Sequence, residues 1–143
     1  MNVRSTVFTA NTALPLKYTC DGEGVNPPLA FEEVPEGTKT LAVILEDMDA
    51  SPGERVHWLV YDIPPVSRID EHSIPGKQGI NDFGKRRYRG PCPLSGIHRY
   101  RFKVFALNTD FDIEGGAQAL EEASTGHVIE EAELICTYAR QQR

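Results

Sequence analysis

The ten residues His98–Leu107 read HRYRFKVFAL, and their alternation decides the fold class. From Tyr100 onward the even-numbered positions are apolar or aromatic, whereas Arg99, Arg101 and Lys103 are cationic. Side chains that change character at every second residue are typical of a β-strand with one buried face. A slip of one residue would bury the three cations, so the pattern predicts the register as well as the strand.

Two further segments extend this strand to a sheet. Leu41–Leu45 is a continuous apolar run followed by acidic residues, which is typical of a strand buried on both faces. Arg55–Ile63 is rich in β-forming residues and alternates over its length. Weaker strands are predicted at Val3–Thr9 and Leu29–Val34, because turn residues separate these two segments.

The rest of the chain predicts an irregular segment and two helices. Pro64–Gly96 contains ten Gly or Pro residues, which excludes a long helix and is typical of a functional loop. Ala117–Ala123 predicts one helix, and His127–Ala139 predicts a second because its apolar residues recur at helical spacing. We therefore expect a mainly β protein: an antiparallel β-sandwich with a C-terminal pair of short helices, in a single domain over residues 1–143.

Composition limits the function classes. The chain has 143 residues and a formal net charge of -6, which argues against nucleic acid and against broad docking on an anionic membrane. No apolar run approaches the ~20 residues of a membrane span, so integral membrane association is not expected, and no signal peptide is visible. Cys20, Cys92 and Cys136 are odd in number and far apart, which predicts three reduced thiols in a cytoplasmic protein.

The first candidate site combines two aspartates with a histidine. Asp47 and Asp49 end the buried strand and share a side if the backbone is extended, and His57 follows ten residues after Asp47. A histidine beside carboxylates can be held in one tautomer and stay charged above its reference pKa of about 6.5. The simpler interpretation is a solvated turn after a strand, where aspartate is common.

The second candidate site lies before and within the alternating strand. Residues 90–96 read GPCPLSG, and Pro and Gly of this kind allow backbone N–H groups to approach an anion. His98 and Tyr100 then add hydrogen-bond donors to a face that is otherwise apolar, as in a small polar pocket with hydrophobic walls. The simpler interpretation is a Pro/Gly-rich connector with a histidine in the core.

Together these residues resemble the two signature regions of the phosphatidylethanolamine-binding protein family, which includes the Raf kinase inhibitor proteins. The matching motifs are Asp47-x-Asp49-Ala50, Val56–Tyr61, Gly90–Pro93 and His98–Phe102. Tyr18–Gly22, Asn26–Leu29, Gly79–Gly84 and the segment from His127 to Tyr138 resemble the bacterial and archaeal branch. The resemblance covers nearly the whole chain. The family usually has Pro at the positions of Met48 and Ser51, and here Pro52 follows one position late.

The resemblance implies a β-sandwich that binds and does not turn over a substrate. The family pocket accepts phosphate-like anions and phospholipid head groups, and it maps onto Asp47, Asp49, His57, Gly90, Pro91, His98 and Tyr100. Family members regulate kinase pathways or inhibit serine proteases, so a protein kinase or a serine protease is the expected partner. Related prokaryotic proteins suggest a homodimer, and no cofactor is implied.

Other interpretations use the same residues. A hydrolase could use an Asp–His pair for general acid–base catalysis, but no activated nucleophile is visible. A metal site formed from Asp47, Asp49, His57 and His98 lacks the close histidine pair typical of such sites. We expect His72 to be solvated, His127 to pack or cap at a helix start, and the cations of 99–103 to form a solvated face. The alternative for that face is a docking surface for an acidic partner.

Overall fold

The structure is a computed structural model that describes residues 1–140, and its strands form two antiparallel sheets. The strands are β1 (Asn2–Arg4), β2 (Leu29–Glu32), β3 (Thr40–Asp47), β4 (Arg55–Ile63), β5 (Arg68–Ile69), β6 (Lys77–Gln78), β7 (His98–Leu107) and β8 (Val128–Tyr138). One sheet has the order β1-β2-β5 and the other the order β6-β4-β3-β7-β8. A 3-10 turn covers Leu16–Tyr18, and α1 covers Ala117–Ser124. The predicted mainly β class with antiparallel sheets is confirmed.

Strand β3 is the centre of the larger sheet. All eight of its residues are buried, and it pairs with β4 on one edge and with β7 on the other. The predicted limits of β4 and β7 agree with the structure, and β3 extends through Asp47, beyond the predicted apolar run. The continuous apolar sequence of β3 follows from its position, because both of its faces are covered.

Two apolar layers cover those faces. Between the sheets, Phe31 and Ile69 from the small sheet pack in one cluster with Trp58, Phe102 and other residues of the large sheet. On the far face, α1 contributes Leu120 to a second cluster. The odd-numbered cations of β7 remain partly or fully exposed while Tyr100 is buried, so the predicted register of this strand is confirmed.

The predicted pair of C-terminal helices is wrong, because only the first of the two exists. The segment predicted as a helix over His127–Ala139 forms β8, which pairs with β7 from His98↔Tyr138 to Leu107↔Val128. The apparent helical spacing came from the apolar residues Val128, Ala132, Ile135 and Ala139. The buried positions Leu134, Cys136 and Tyr138 instead alternate with more exposed residues, which is the strand period.

The weaker predictions hold in part. The first strand is limited to Asn2–Arg4, whereas Val3–Thr9 was expected, and the second ends at Glu32 instead of Val34. The irregular segment Pro64–Gly96 contains no helix and holds only the two-residue strands β5 and β6. These short edge strands supply few ladder hydrogen bonds, so the segment owes its shape to side-chain contacts and turns.

The prediction of three free thiols is wrong. A disulfide joins Cys20 to Cys92, and Cys136 is free and buried, which raises the pKa of its thiol to about 12. The two cysteines are 72 residues apart in sequence, and the backbones of the segments that carry them are hydrogen-bonded in the fold. The expected absence of a disulfide can therefore no longer support the prediction of a cytoplasmic protein. No helix within residues 1–140 is long and apolar enough to cross a membrane.

The disulfide makes a prediction about thiol counts. Titration of the unfolded, unreduced protein with a thiol reagent should detect one thiol, that of Cys136, and prior reduction should raise the count to three. Unfolding is necessary because Cys136 is inaccessible in the native protein. A count of three without reduction would show that Cys20 and Cys92 are not bonded.

Candidate functional site

A pocket of about 430 Å³ opens at the ends of β3, β4 and β7. Its lining is completed by segments 49–51 and 92–95 and by Arg55, Phe83, Arg89 and Arg140. Four of the seven predicted site residues line it: Asp47, Asp49, His57 and His98. Gly90, Pro91 and Tyr100 are not among the lining residues. The structure therefore brings both candidate sites into one pocket.

Buried Asp47 and half-buried His98 form a pair in the pocket wall. Nδ1–H of His98 donates to Oδ2 of Asp47 over 2.7 Å, and the backbone N–H of Asp49 donates to Oδ1 of Asp47 over 2.9 Å. The pairing follows from the sheet, because Asp47 lies opposite Tyr100 across β3 and β7. Since Nδ1 is held by the carboxylate, Nε2 is the ring nitrogen of His98 that remains for a ligand.

Asp49 lines the pocket, but its charge is held by Arg99. The Asp49 carboxylate accepts hydrogen bonds from the backbone N–H, Nε and Nη2 of Arg99, at 2.8, 3.0 and 2.9 Å. These bonds lower the pKa of Asp49 to about 2. Asp49 is thus a charged residue with a fixed partner, and it places little free negative charge in the pocket.

His57 differs from the sequence expectation. Its Nδ1 lies 2.9 Å from the carbonyl oxygen of Arg89, which only accepts hydrogen bonds, so Nδ1 carries the proton. Burial lowers the pKa of His57 below 6.5, and neither this hydrogen bond nor the charge of Asp47 offsets that effect. The expectation that carboxylates keep His57 charged is therefore wrong. At neutral pH the ring is uncharged, and Nε2 offers a lone pair.

Tyr100 lies against both histidine rings. Its ring stacks with His98 at 6.3 Å between centroids and meets the edge of His57 at 5.6 Å. The hydroxyl is fully buried and has no hydrogen-bond partner within residues 1–140. Burial, followed by the charge of Asp47, raises the pKa of Tyr100. A buried hydroxyl without a partner costs about 1–3 kcal/mol, and a buried water is the usual way to satisfy such a group.

Gly90 and Pro91 build the wall that supports the pocket. A Cβ atom at Gly90 would lie 2.8 Å from the carbonyl carbon of Thr19, so only glycine allows this approach of two backbones. The carbonyl of Pro91 accepts a hydrogen bond from the N–H of Cys20 over 3.1 Å, next to the disulfide. Within the Pro/Gly-rich segment 90–96, the residues that line the pocket are Cys92, Pro93, Leu94 and Ser95.

Two arginines and a phenylalanine line the pocket although the sequence patterns did not indicate them. The guanidinium of Arg89 lies 4.6 Å from the ring centroid of Phe83, and that of Arg55 lies 5.4 Å from it. Phe83 also meets the edge of His57 at 5.0 Å. Neither Arg55 nor Arg89 forms an ion pair within residues 1–140. The available signal was the basic run KRRYR at residues 85–89, directly before Gly90.

The cations of β7 form ion pairs and are not a freely solvated face. The guanidinium of Arg101 is bonded to Glu46 and Glu54, and the Lys103 ammonium lies 3.6 Å from Glu46. The side chains of Arg101 and Lys103 are only 22% and 26% exposed, so the expectation of a solvated stripe is wrong for them. Their positive charge is neutralised within the sheet, which leaves little for an acidic partner.

The remaining expectations concern single positions. His72 is exposed, as predicted, whereas His127 precedes a strand and is exposed, so its predicted role at a helix start is wrong. The Ser51–Pro52 peptide bond is cis, and Ser51 lines the pocket. No group of three or more His, Cys, Asp or Glu side chains in the described part of the chain is arranged to hold a metal ion.

The fold and pocket define a class of mainly β proteins with two antiparallel sheets and a polar pocket at one end of the larger sheet. The model of the phosphatidylethanolamine-binding protein family matches residues 4–139, and the chain belongs to this family. A protein of Methanothermobacter thermautotrophicus described as a UPF0098 protein is 43% identical over 150 residues, covering 98% of this chain and 99% of the relative.

Two solved structures share the fold. A crystal structure described as a putative phosphatidylethanolamine-binding protein homologue, CT736 from Chlamydia trachomatis, has a TM-score of 0.94 and 40% identity. The alignment covers 98% of this chain and 97% of that one. YbcL from E. coli, described as a new member of the mammalian family, has a TM-score of 0.89 at 28% identity, with 98% of each chain covered.

The unpaired hydroxyl of Tyr100 makes a prediction about stability. In Tyr100→Phe, the free energy of unfolding should stay within about 0.5 kcal/mol of the original or rise, because no hydrogen bond is lost. Tyr88→Phe is the matched control, since the Tyr88 hydroxyl donates to the carbonyl of Tyr18 over 2.7 Å and its removal should cost about 1 kcal/mol. Urea unfolding in anion-free buffer measures both. An equal loss in the two variants would show that the Tyr100 hydroxyl has a partner in the free protein.

Proposed function

We propose that this protein binds a small anionic group, of the phosphate type, in the pocket between Asp47, His57 and His98. The observation that carries the proposal is the unpaired positive charge of Arg55 and Arg89. Both guanidinium groups line the pocket, and neither meets a carboxylate within residues 1–140. Unpaired arginines at a recess favour an anion with two or more oxygens, because the guanidinium donates in pairs.

The other charges of the pocket support the same ligand class. Asp49 is paired with Arg99, Arg140 is paired with Asp21, and the Asp47 carboxylate accepts from His98. Each acidic group of the lining therefore has a cationic or N–H partner. The positive charge that remains belongs to Arg55 and Arg89, which are exposed at the same recess, and two like charges there concentrate a positive potential that attracts an anion.

The two histidines and Tyr100 suggest how the ligand is oriented. His57 and His98 each retain Nε2, since their Nδ1 atoms are engaged. Neutral His57 accepts a hydrogen bond from a protonated ligand oxygen or an amine, and it becomes a donor if the bound anion raises its pKa. The Tyr100 hydroxyl lies behind these rings without a partner among residues 1–140. A ligand with a phosphoryl group next to a hydrogen-bond donor would match these side chains.

The proposal describes binding without turnover. Cys92 lines the pocket but is held in a disulfide, so it cannot supply a nucleophilic thiolate while oxidised. Family membership supports a binding role at the level of the family. The regulatory role, the kinase or serine-protease partner, the homodimer and the cytoplasmic location stay predictions from the resemblance and the sequence.

The proposal predicts the effect of removing each free arginine. In Arg89→Gln and in Arg55→Gln, the affinity for sulfate should fall about threefold to tenfold, because each loses a charged donor at a partly solvated site. Isothermal calorimetry at pH 7 measures the affinity, and sulfate keeps one charge state near this pH. Arg68→Gln is the matched control, since Arg68 is 77% exposed and lies outside the pocket lining.

The control separates a specific contact from the general effect of charge. Arg68→Gln changes the net charge by the same amount and should leave the sulfate affinity unchanged at moderate salt. An equal loss in all three variants would mean that net charge alone governs binding. Absence of sulfate binding to the unaltered protein would contradict the proposed function.

A further inference from the structure

The basic side chains without an ion pair are concentrated beside the pocket. Within residues 1–140, the Lys and Arg residues that form no ion pair are Arg55, Lys85, Arg86, Arg87 and Arg89; the others are paired with carboxylates. Arg55 and Arg89 line the pocket, whereas Lys85, Arg86 and Arg87 lie outside its lining. We call these three residues the basic loop.

The basic loop is held in a fixed shape by a buried asparagine. The Asn81 side-chain oxygen accepts from the N–H of Lys85 over 3.1 Å, and its amide donates to the carbonyl of Arg87 over 2.9 Å. The same amide reaches the carbonyl of His57 over 3.3 Å, which joins the loop to the pocket wall. Because the backbone of the loop is already ordered, the loop loses little conformational entropy when its side chains bind a ligand.

Tyr88 turns the cations outward. Its ring meets the edge of Trp58 at 5.5 Å in the core, and its hydroxyl donates to the carbonyl of Tyr18. The neighbours on either side, Arg87 and Arg89, are exposed. This anchoring explains why a run with four cations in five residues presents them all to solvent. Among them, Arg86 makes a single long hydrogen bond, at 3.4 Å to the carbonyl of Gln78, and its charge remains uncompensated.

We propose that the basic loop is a second subsite, which binds the acidic side chains of an extended segment of a partner protein while an anionic group of that segment occupies the pocket. The inference rests on the proposed function, because the pocket supplies the primary anchor. The charge of the loop supports it, because the three cations have no carboxylate partner within residues 1–140. The backbone of the loop is also already ordered, and it is hydrogen-bonded to the pocket wall through Asn81. A single sulfate or phosphate within the pocket lining leaves Lys85, Arg86 and Arg87 without a ligand.

A narrow protein segment fits this surface better than a bilayer does. The chain carries a net charge of -6, and the exposed acids Glu54 and Asp82 lie close in sequence to the cations of the patch. A flat anionic membrane would meet a broad area of an acidic protein, of which the basic loop is only three residues. An extended segment can contact the cations alone. Leu94, which lines the pocket and is fully exposed, offers an apolar contact to the same segment.

The test compares two labelled peptides and three sets of variants by fluorescence anisotropy. One peptide carries a phosphoserine flanked on each side by three glutamates, and the other has glutamine in place of every glutamate. The acidic peptide should bind about tenfold more tightly, as expected for several exposed ion pairs acting together. The triple variant Lys85→Gln, Arg86→Gln, Arg87→Gln should remove this difference and keep the sulfate affinity of the original protein.

Two further variants serve as controls. The charge-conserving variant Lys85→Arg, Arg86→Lys, Arg87→Lys should retain the preference for the acidic peptide. The variant Arg4→Gln, Lys39→Gln, Arg68→Gln makes the same change of charge at exposed positions elsewhere and should also retain it. If this last variant loses the preference as the basic-loop variant does, the loop is not a subsite and the inference fails.

The outcomes separate the inference from the function on which it rests. Sulfate binding with equal affinity for the two peptides would leave the pocket intact and overturn the second subsite. Loss of sulfate binding in the unaltered protein would overturn the proposed function itself. Binding to vesicles that contain phosphatidylserine, dependent on the basic loop and without any preference for the acidic peptide, would identify a membrane as the occupant and overturn the inference.

Discussion

The pairing of β3 on both of its edges is the constraint on which the pocket depends. Because β4 and β7 flank it, Asp47 at its end lies opposite Arg55 on one side and Tyr100 on the other. The same register brings His98 within 2.7 Å of Asp47. A shift of one residue would reverse every side chain of a strand between its two apolar layers, so packing of the core also fixes the geometry of the site.

The electrostatic character of the pocket arises from which charges are already paired. The protein is acidic overall, yet the pocket acids Asp49 and Asp47 are engaged by Arg99 and His98. Of the pocket arginines, Arg140 is paired with Asp21, while Arg55 and Arg89 have no carboxylate partner within residues 1–140. The wall that carries Cys92 to Ser95 is held by the disulfide and by the close approach that Gly90 permits. Because the site is already ordered, it binds an anion without rearranging, and little binding free energy is lost to ordering it.

Much of the fold was predictable where one face of a strand is buried and the other carries charge. The limits of β4 and β7 follow from such patterns, and four of the predicted site residues do line the pocket. Strand β8 was misassigned because its apolar residues recur at helical spacing, and pairing with β7 overrides that local pattern. The disulfide was missed because cysteines 72 residues apart give no local signal. The protonation of His57 depends on its burial and on the carbonyl of Arg89, which is 32 residues away in the sequence. Neither can be predicted from the sequence pattern.

The central claim is that an anion occupies the pocket against Arg89 and the two histidines. Crystals grown with selenate test it most directly, since selenium gives an anomalous signal and the ion has the shape of sulfate. The account predicts an anomalous peak within hydrogen-bond distance of the Arg89 guanidinium, and also of Nε2 of His57 or His98 when the bound ion holds that nitrogen protonated. Selenate found only elsewhere on the surface, with the pocket occupied by water alone, would contradict the account.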